Sequence, residues 1–346
     1  MIYKSFTSLK AFFSLFVCLL LLFSIAGAPL LFANTVYPFT QESVLVQEVR
    51  SVFPEVLFTS FLDAQRLADM ARPYWVPTEE EHKMMLSYLP PESILLNNDI
   101  LLYYGHPMSR NMGILGRYSP EQLRDMMAEL AIEYMEAGSR NIITGFYIIY
   151  GTVWPGGDIG VIRESVLKEW IEFALENDML VFIDHQIGRF NPIDQFRTLL
   201  PWLSYPNVHL ALDPEWRTPI PMQEVGHLTA AEINEIQQVM EDYMIANNIP
   251  GERLFVIHQF NPTMIRNRTE VRADFAKVRL VLNISGWGPP RIKRDTYAYG
   301  ALATNIPVKG FKLWYEGLPG VHYDNPLMSP REVLELNPRP YVIMYQ

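Results

Sequence analysis

One cysteine, Cys18, stands in the 346-residue chain. It falls inside an apolar N-terminal run, so everything beyond residue 35 lacks cysteine altogether. That excludes disulfides, a thiol nucleophile and a Cys-type zinc site from the body of the protein. Basic residues are also in short supply: 28 Lys and Arg face 38 Asp and Glu, a formal net charge of -10. Nucleic-acid binders cluster Lys and Arg against phosphate, so this balance argues against that partner. The chain has no Gly-rich dinucleotide turn, no Walker loop and no GxSxG nucleophile elbow. It also has no low-complexity tract and no solenoid repeat.

What is present is a globular composition, 49% hydrophobic and 19% charged, with ample material for a core. Residues 1–35 stand apart. Lys4 and Lys10 precede an apolar run from Ala11 to Ala33, with small residues at Ala26, Gly27 and Ala28. A basic start, apolar middle and small-residue end is the pattern of a secretory signal. Pro29 disfavours cleavage after Ala28, and Ala33 offers a later site. Left uncleaved, the run is about long enough to span a bilayer as an anchor. Lysines before it and Glu42 and Glu48 after it put the remainder outside the cytoplasm. The expectation is an extracytoplasmic protein: secreted, periplasmic or anchored to the outer face of the membrane, touching the membrane only through this segment. A lipoprotein box wants a small residue before its cysteine, and Val17 stands before Cys18.

Residues 36–98 mix helix-like stretches with Pro-rich joints and read as an N-terminal helical extension packed on the main domain. From residue 99 to 346 a rhythm sets in. Strand candidates are Asp99–Tyr104, Asn141–Ile149, Leu180–Ile183, Val208–Leu212, Leu254–Ile257, Val278–Leu282, Val308–Leu313 and Tyr341–Met344. Most are continuous apolar runs, as parallel strands buried on both faces should be. Amphipathic stretches lie between them: 119–137, 162–176, 194–203, 229–246, 290–303 and 330–336, with a weak one at 262–275. Ser119-Pro120 and the Thr229/Glu232 pair are helix starts. This α/β alternation predicts a (β/α)8 TIM-type barrel.

Barrels carry their chemistry at the C-terminal ends of the strands. The residues there are His106; Tyr150 and Trp154; Asp184, His185 and Gln186; Asp213, Glu215 and Trp216; His258 and Gln259; Asn283, Ser285 and Trp287; Lys312, Trp314, Tyr315 and Glu316; Tyr345 and Gln346. The opposite ends are plainer, with Asn141, Met179, Asn207 and Arg253. Four of the seven tryptophans fall in the rim loops, and an indole face suits the apolar face of a sugar ring. Asp213 and Glu215, two residues apart, can share a face and separate each other's pKa values. Asp184 supplies a third carboxylate. The competing reading of Asp213-Pro214 is a loop whose aspartate caps backbone amides.

The Asp-x-Glu of LALDPEW resembles that of (β/α)8-barrel glycoside hydrolases, the chitinases and barrel-type lysozymes, which carry it at the end of strand four with the Glu as acid. The likeness covers this tripeptide and the inferred fold, and no characterised family is assigned. It departs from the chitinase motif upstream, where Val208, His209 and Leu210 replace further aspartates. It departs from the barrel lysozymes at the first strand, where His106 stands in place of an acid. Together with the export segment, the resemblance implies an exported hydrolase acting on carbohydrate or cell-envelope glycan. Glu215 would be the general acid, and Asp213 or Asp184 its partner. His106, Gln186, Trp216, His258, Gln259, Trp287, Lys312 and Tyr345 would bind substrate, and no cofactor is implied. Two alternatives stay open: a divalent-metal isomerase or phosphodiesterase using His106, Asp184, Glu215 and His258, and a non-catalytic carbohydrate-binding surface protein.

Overall fold

The computed structural model describes residues 93–317 and 322–346. The expected export segment with Cys18, and the expected extension as far as residue 92, lie outside the described residues. Among the described residues no helix is long and apolar enough to cross a membrane.

Eight strands close into a ring: β1 (Asn98–Gly105), β2 (Asn141–Val153), β3 (Leu180–Gln186), β4 (Val208–Asp213), β5 (Arg253–Gln259), β6 (Val278–Ile284), β7 (Val308–Leu313) and β8 (Val342–Tyr345). Each pairs in parallel with its sequence neighbour, and β8 pairs back onto β1, with Ile100 opposite Val342 and Tyr103 opposite Tyr345. The protein is a (β/α)8 barrel. Every expected strand is present. Several run further towards the C-terminal rim than hydropathy indicated, β3 to Gln186 and β2 to Val153. Ladder bonds are made by the backbone, so Asp184, His185 and Gln186 pair as readily as the valines before them.

The helices are α1 (Pro120–Glu136), α2 (Glu164–Glu176), α3 (Pro192–Arg197), α4 (Ala230–Ala246), α5 (Pro290–Ala301) and α6 (Pro330–Leu334). Ser119 with Gln122, Thr229 with Glu232 and Ser329 with Glu332 form reciprocal capping boxes, which satisfy donors that a helix start leaves open. The stretch expected as a helix at 194–203 divides into α3 and a 3-10 turn over Leu200–Ser204. Pro201 has no N–H to continue an α-helix. The weak stretch 262–275 forms no α-helix, only short 3-10 turns at Pro262–Met264 and Arg268–Glu270. Asn261 caps the first turn, and Asn267 adopts a left-handed conformation (φ 55°) before the second.

Strand alternation sorts the apolar residues into two clusters. Ile100, Leu102, Phe182, Ala211, Val256, Val281, Val342 and Met344 fill the lumen. Leu101, Val181, Leu210, Ile257, Leu282, Phe311 and Ile343 face the helices. Leu95 and Tyr341 join the luminal cluster. Fully buried Asp99, near the start of β1, is held by two arginines. Arg140 donates through Nε to Asp99 Oδ1 (3.0 Å) and through its backbone N to Oδ2 (3.2 Å), and Arg339 Nη2 also contacts Oδ2. Arg140 further donates to the Leu95 carbonyl (2.8 Å) and lies over the Tyr341 ring.

Removing one partner from a buried ion pair strands the other. Both guanidinium side chains keep 27% exposure, so Asp99→Asn should cost only towards the lower end of about 3–5 kcal/mol. Urea denaturation of the two proteins measures it; a loss within error of zero would mean the arginines are held by something else.

Candidate active site

At the C-terminal rim the inward positions of the strands change from apolar to polar. Asp184, Asp213, His258, Asn283 and Lys312 follow Phe182, Ala211, Val256, Val281 and Gly310 at two-residue steps, and all five are buried. Tyr104 and Tyr147 complete the ring from β1 and β2. Gly310 leaves room for its neighbour: a Cβ there would meet Asn283 Oδ1 at 2.6 Å and displace that side chain.

The contacts among these side chains are specific. Tyr104 Oη donates to Asp184 Oδ2 (3.2 Å). Asn283 Nδ2 donates to His258 Nδ1 (3.2 Å). With Nδ1 accepting, the imidazole hydrogen sits on Nε2, which faces Tyr147 Oη at 2.7 Å and Asp184 Oδ2 at 3.8 Å. Lys312 Nζ lies 3.5 Å from the centre of the Tyr104 ring and 4.4 Å from that of Trp314, a cation–π arrangement when protonated. Glu215 is the middle residue of the 3-10 turn Pro214–Trp216 directly after β4 and is half-buried. Asp213 Oδ1 accepts from the Glu215 backbone N (3.1 Å), and the Trp216 indole bonds the same carboxylate. Asp213 is thus both the capping residue and a member of the buried group.

Burial dominates the electrostatics. Desolvation favours neutral forms, and like charges reinforce it. Asp184 is pushed up to about 8, by burial and then by the Asp213 charge, against the pull of Lys312 and the Tyr104 hydrogen bond. Glu215 is pushed up to about 8 for the same two reasons, again opposed by Lys312. Asp213 rises only to about 6, because Lys312, the Glu215 amide and the Trp216 indole stabilise its anion against burial. Burial draws Lys312 down to about 8, resisted by all three carboxylates. It also holds His258 well below the ordinary imidazole range, with Lys312 adding to the effect. At neutral pH an ionised Asp213 and a protonated Lys312, which interact through space without a direct ion pair, therefore sit among protonated Asp184 and Glu215 and a neutral His258. Such a group can hold one proton to give and one carboxylate to receive.

Of the residues singled out by sequence, Glu215, Asp213, Asp184, His258, Lys312 and Trp216 come together. Others do not. Gln259 points out of the lumen: its Oε1 accepts from Arg268 (2.7 Å) and its Nε2 donates to the Asn261 carbonyl (3.3 Å). Tyr345 faces the helices, Oη to Oη with Tyr134 of α1 at 2.8 Å, and so does not floor a sugar site. Both sit one residue past an inward position, His258 and Met344, and alternation turns them outward. Gln186 is buried with Oε1 accepting from Val153 N (2.8 Å), tying the extended end of β2 to β3. His106 Nδ1 accepts from the backbone N of Met108 (3.1 Å). Trp287 is 45% exposed and stacks on His322 with ring centres 3.8 Å apart. Among the described residues no three His, Cys, Asp or Glu side chains are grouped to hold a metal ion. The set His106, Asp184, Glu215 and His258 is thus not assembled as one. Tyr104 and Tyr147 were not picked out by sequence. They lie within apolar runs, and only the inward register of β1 and β2 marks them.

The fold and this mouth define a (β/α)8 barrel with a buried carboxylate–lysine group. No protein-family model matches the chain, and no curated protein matches it. Solved structures similar to it include a chitinase from Chromobacterium violaceum (12% identity, 62% of this chain and 68% of that chain covered, TM-score 0.36). A GH18 chitinase from the chitin utilization locus of Flavobacterium johnsoniae is 8% identical over 72% of this chain and 87% of that one, at TM-score 0.38. A GH5-4 broad specificity endoglucanase from Clostridum cellulovorans is 10% identical over 76% and 86%, at TM-score 0.42. Likeness at this level says nothing about which side chains react.

Asp184 gives a stability test. Its folded pKa, about 8, lies above the unfolded value of 3.8, so folding takes up a proton between those pH values. Stability from this group is full below about pH 4 and is lost as pH rises towards 8. Asp184→Asn, neutral at every pH, should be more stable than the native protein at pH 8, by up to about 6 kcal/mol, with the gap closing near pH 4. Denaturant unfolding at both pH values checks the sign; a native protein more stable than the variant at pH 8 would refute it.

Proposed function

We propose that the protein is an exported glycoside hydrolase-like enzyme that cleaves a carbohydrate, cell-envelope glycan foremost, by carboxylate acid/base catalysis. The observation that carries the reading is the gathering of Glu215, Asp213 and Asp184 about Lys312 at the C-terminal end of the barrel strands. Glycosidic bond cleavage asks for one protonated carboxyl beside the leaving oxygen and one carboxylate near the anomeric centre. Glu215 holds its proton to about pH 8 and is half-buried at the rim, which suits it to protonate the leaving group. Asp213, ionised above about pH 6, suits the carboxylate: it stabilises the positive charge developing on the sugar or activates water. Protonated Asp184, braced by Tyr104, offers a hydrogen bond to a sugar oxygen. Trp154 and Trp287 keep 56% and 45% of their surface exposed in rim loops, where an indole face can stack on a pyranose ring. The apolar run over residues 11–33 supports export, as a cleaved signal or a retained anchor.

Glu215→Gln keeps the shape of the side chain and removes its proton. Reducing-end release from a panel of glycans should fall by about 10²–10⁴-fold, while calorimetry still detects sugar binding. Unchanged turnover would sink the assignment, and sugar binding without product in the native protein would leave a binding barrel. Turnover against pH should be bell-shaped. It should rise as Asp213 loses its proton through about pH 6 and fall as Glu215 loses its own through about pH 8. A rate flat from pH 5 to 9 would contradict those roles.

A further inference from the structure

Among the described residues three lysines are fully or almost fully buried: Lys293, Lys309 and Lys312. Two are satisfied by the fold. Lys309 donates to the carbonyl of Ala303 at 2.7 Å and to that of Ile306. Lys293 donates to the carbonyls of Gly286 (2.5 Å) and Lys312 and pairs with Asp324 Oδ2 (3.2 Å). Asp324 is itself held by the backbone amides of Gly288 (2.9 Å) and Trp314 (3.0 Å). Lys312 differs from both. Among the described residues no hydrogen bond and no ion pair within 4.0 Å holds its Nζ; only the faces of Tyr104 and Trp314 do. An ammonium left without hydrogen-bond acceptors in a buried site is costly, and proteins that bury lysines for structure provide acceptors, as this one does twice.

We propose that Lys312 is a covalent residue, whose amine forms an imine with the carbonyl of a small hydroxylated aldehyde or ketone held in the barrel mouth. The neutral amine attacks the carbonyl carbon, and the C=O π electrons move to oxygen, which takes a proton from the carboxyl of Glu215 or Asp184. The carbinolamine nitrogen loses a proton to the Asp213 carboxylate. The hydroxyl then leaves as water on receiving that proton back from Asp213, while the nitrogen lone pair forms C=N. The resulting iminium gives its N–H proton to the Glu215 or Asp184 carboxylate that donated first, leaving the neutral imine and restoring the acids. The step is redox-neutral: one amine and one carbonyl become one imine and one water. Burial favours the uncharged amine, and the flanking rings exclude water from the imine. The neighbouring acids supply and recover the protons. The pinning of the Lys312 carbonyl by Lys293 fixes the backbone from which the amine projects. Imine formation at Lys312 does not need a glycosidic bond, so failure to trap it leaves the Glu215→Gln test standing.

The full chain is incubated at pH 8 with glycolaldehyde and sodium cyanoborohydride, which reduces an imine to a stable secondary amine, and modified peptides are mapped by mass spectrometry. Lys312 should be alkylated about tenfold or more faster than the exposed Lys168, because an amine drawn towards pKa 8 is far less protonated at that pH than an ordinary lysine. Lys293 and Lys309 should stay unmodified, and Lys312→Met should remove the fast site while Lys168 reacts as before. Alkylation of Lys312 no faster than Lys168, or equal alkylation of Lys293 and Lys309, overturns the proposal. The peptide map of the native protein decides the matter even where Lys312→Met does not fold.

Discussion

Everything at the mouth of this barrel depends on the cost of charge where water is scarce. Three carboxyls and one amine share a space in which only a neutral sum is tolerable. Lys312 can balance one carboxylate, and Asp213 is the one that also receives the Glu215 amide and the Trp216 indole. The other two carboxyls keep their protons because burial and the Asp213 charge outweigh the pull of Lys312 on them. The division of labour among chemically similar acids follows from where the single lysine and a few N–H donors sit.

A site of this kind needs a scaffold that does not relax around it. The closed parallel ring supplies one, since no strand has a free edge. Below the polar tier, apolar side chains fill the lumen, and near the other end of β1 Asp99 joins Arg140 and Arg339 beside the chain entering at Leu95. Above it, the Lys293–Asp324 pair ties α5 to the loops after β6 and β7, steadying the backbone that carries Lys312 and Trp314. The polar tier is therefore fastened from both sides, through Tyr104 and Asn283 within it and Lys293 above it.

Much of this was legible in the sequence. Eight apolar runs gave the strands because parallel strands in a barrel are buried on both faces. Asp184, Asp213, His258 and Lys312 were legible because each interrupts the end of such a run. The alternation of faces was harder to apply at the strand ends. Gln259 and Tyr345 lie beside inward residues and point the other way, a distinction that needs the register of each strand. Tyr104 and Tyr147 were hidden for the opposite reason: a tyrosine in an apolar strand looks like core until its hydroxyl is seen against Asp184 or His258. The stretch after β5 gave a weak helical pattern, and Asn261, Pro262 and Asn267 turned it into short 3-10 turns. Asp213 offered a choice between cap and catalyst; the structure shows the cap, and the oxygen that accepts from Glu215 N helps keep the buried carboxylate ionised.

The account turns on Lys312 as the charge that keeps Asp213 ionised beside protonated acids. ¹³C NMR titration of the aspartate and glutamate carboxyls in the native protein and in Lys312→Met measures this directly. The native protein should show Asp213 titrating near 6 and Glu215 near 8, and loss of the lysine should move both upward. Carboxyl titrations unchanged by Lys312→Met would contradict it.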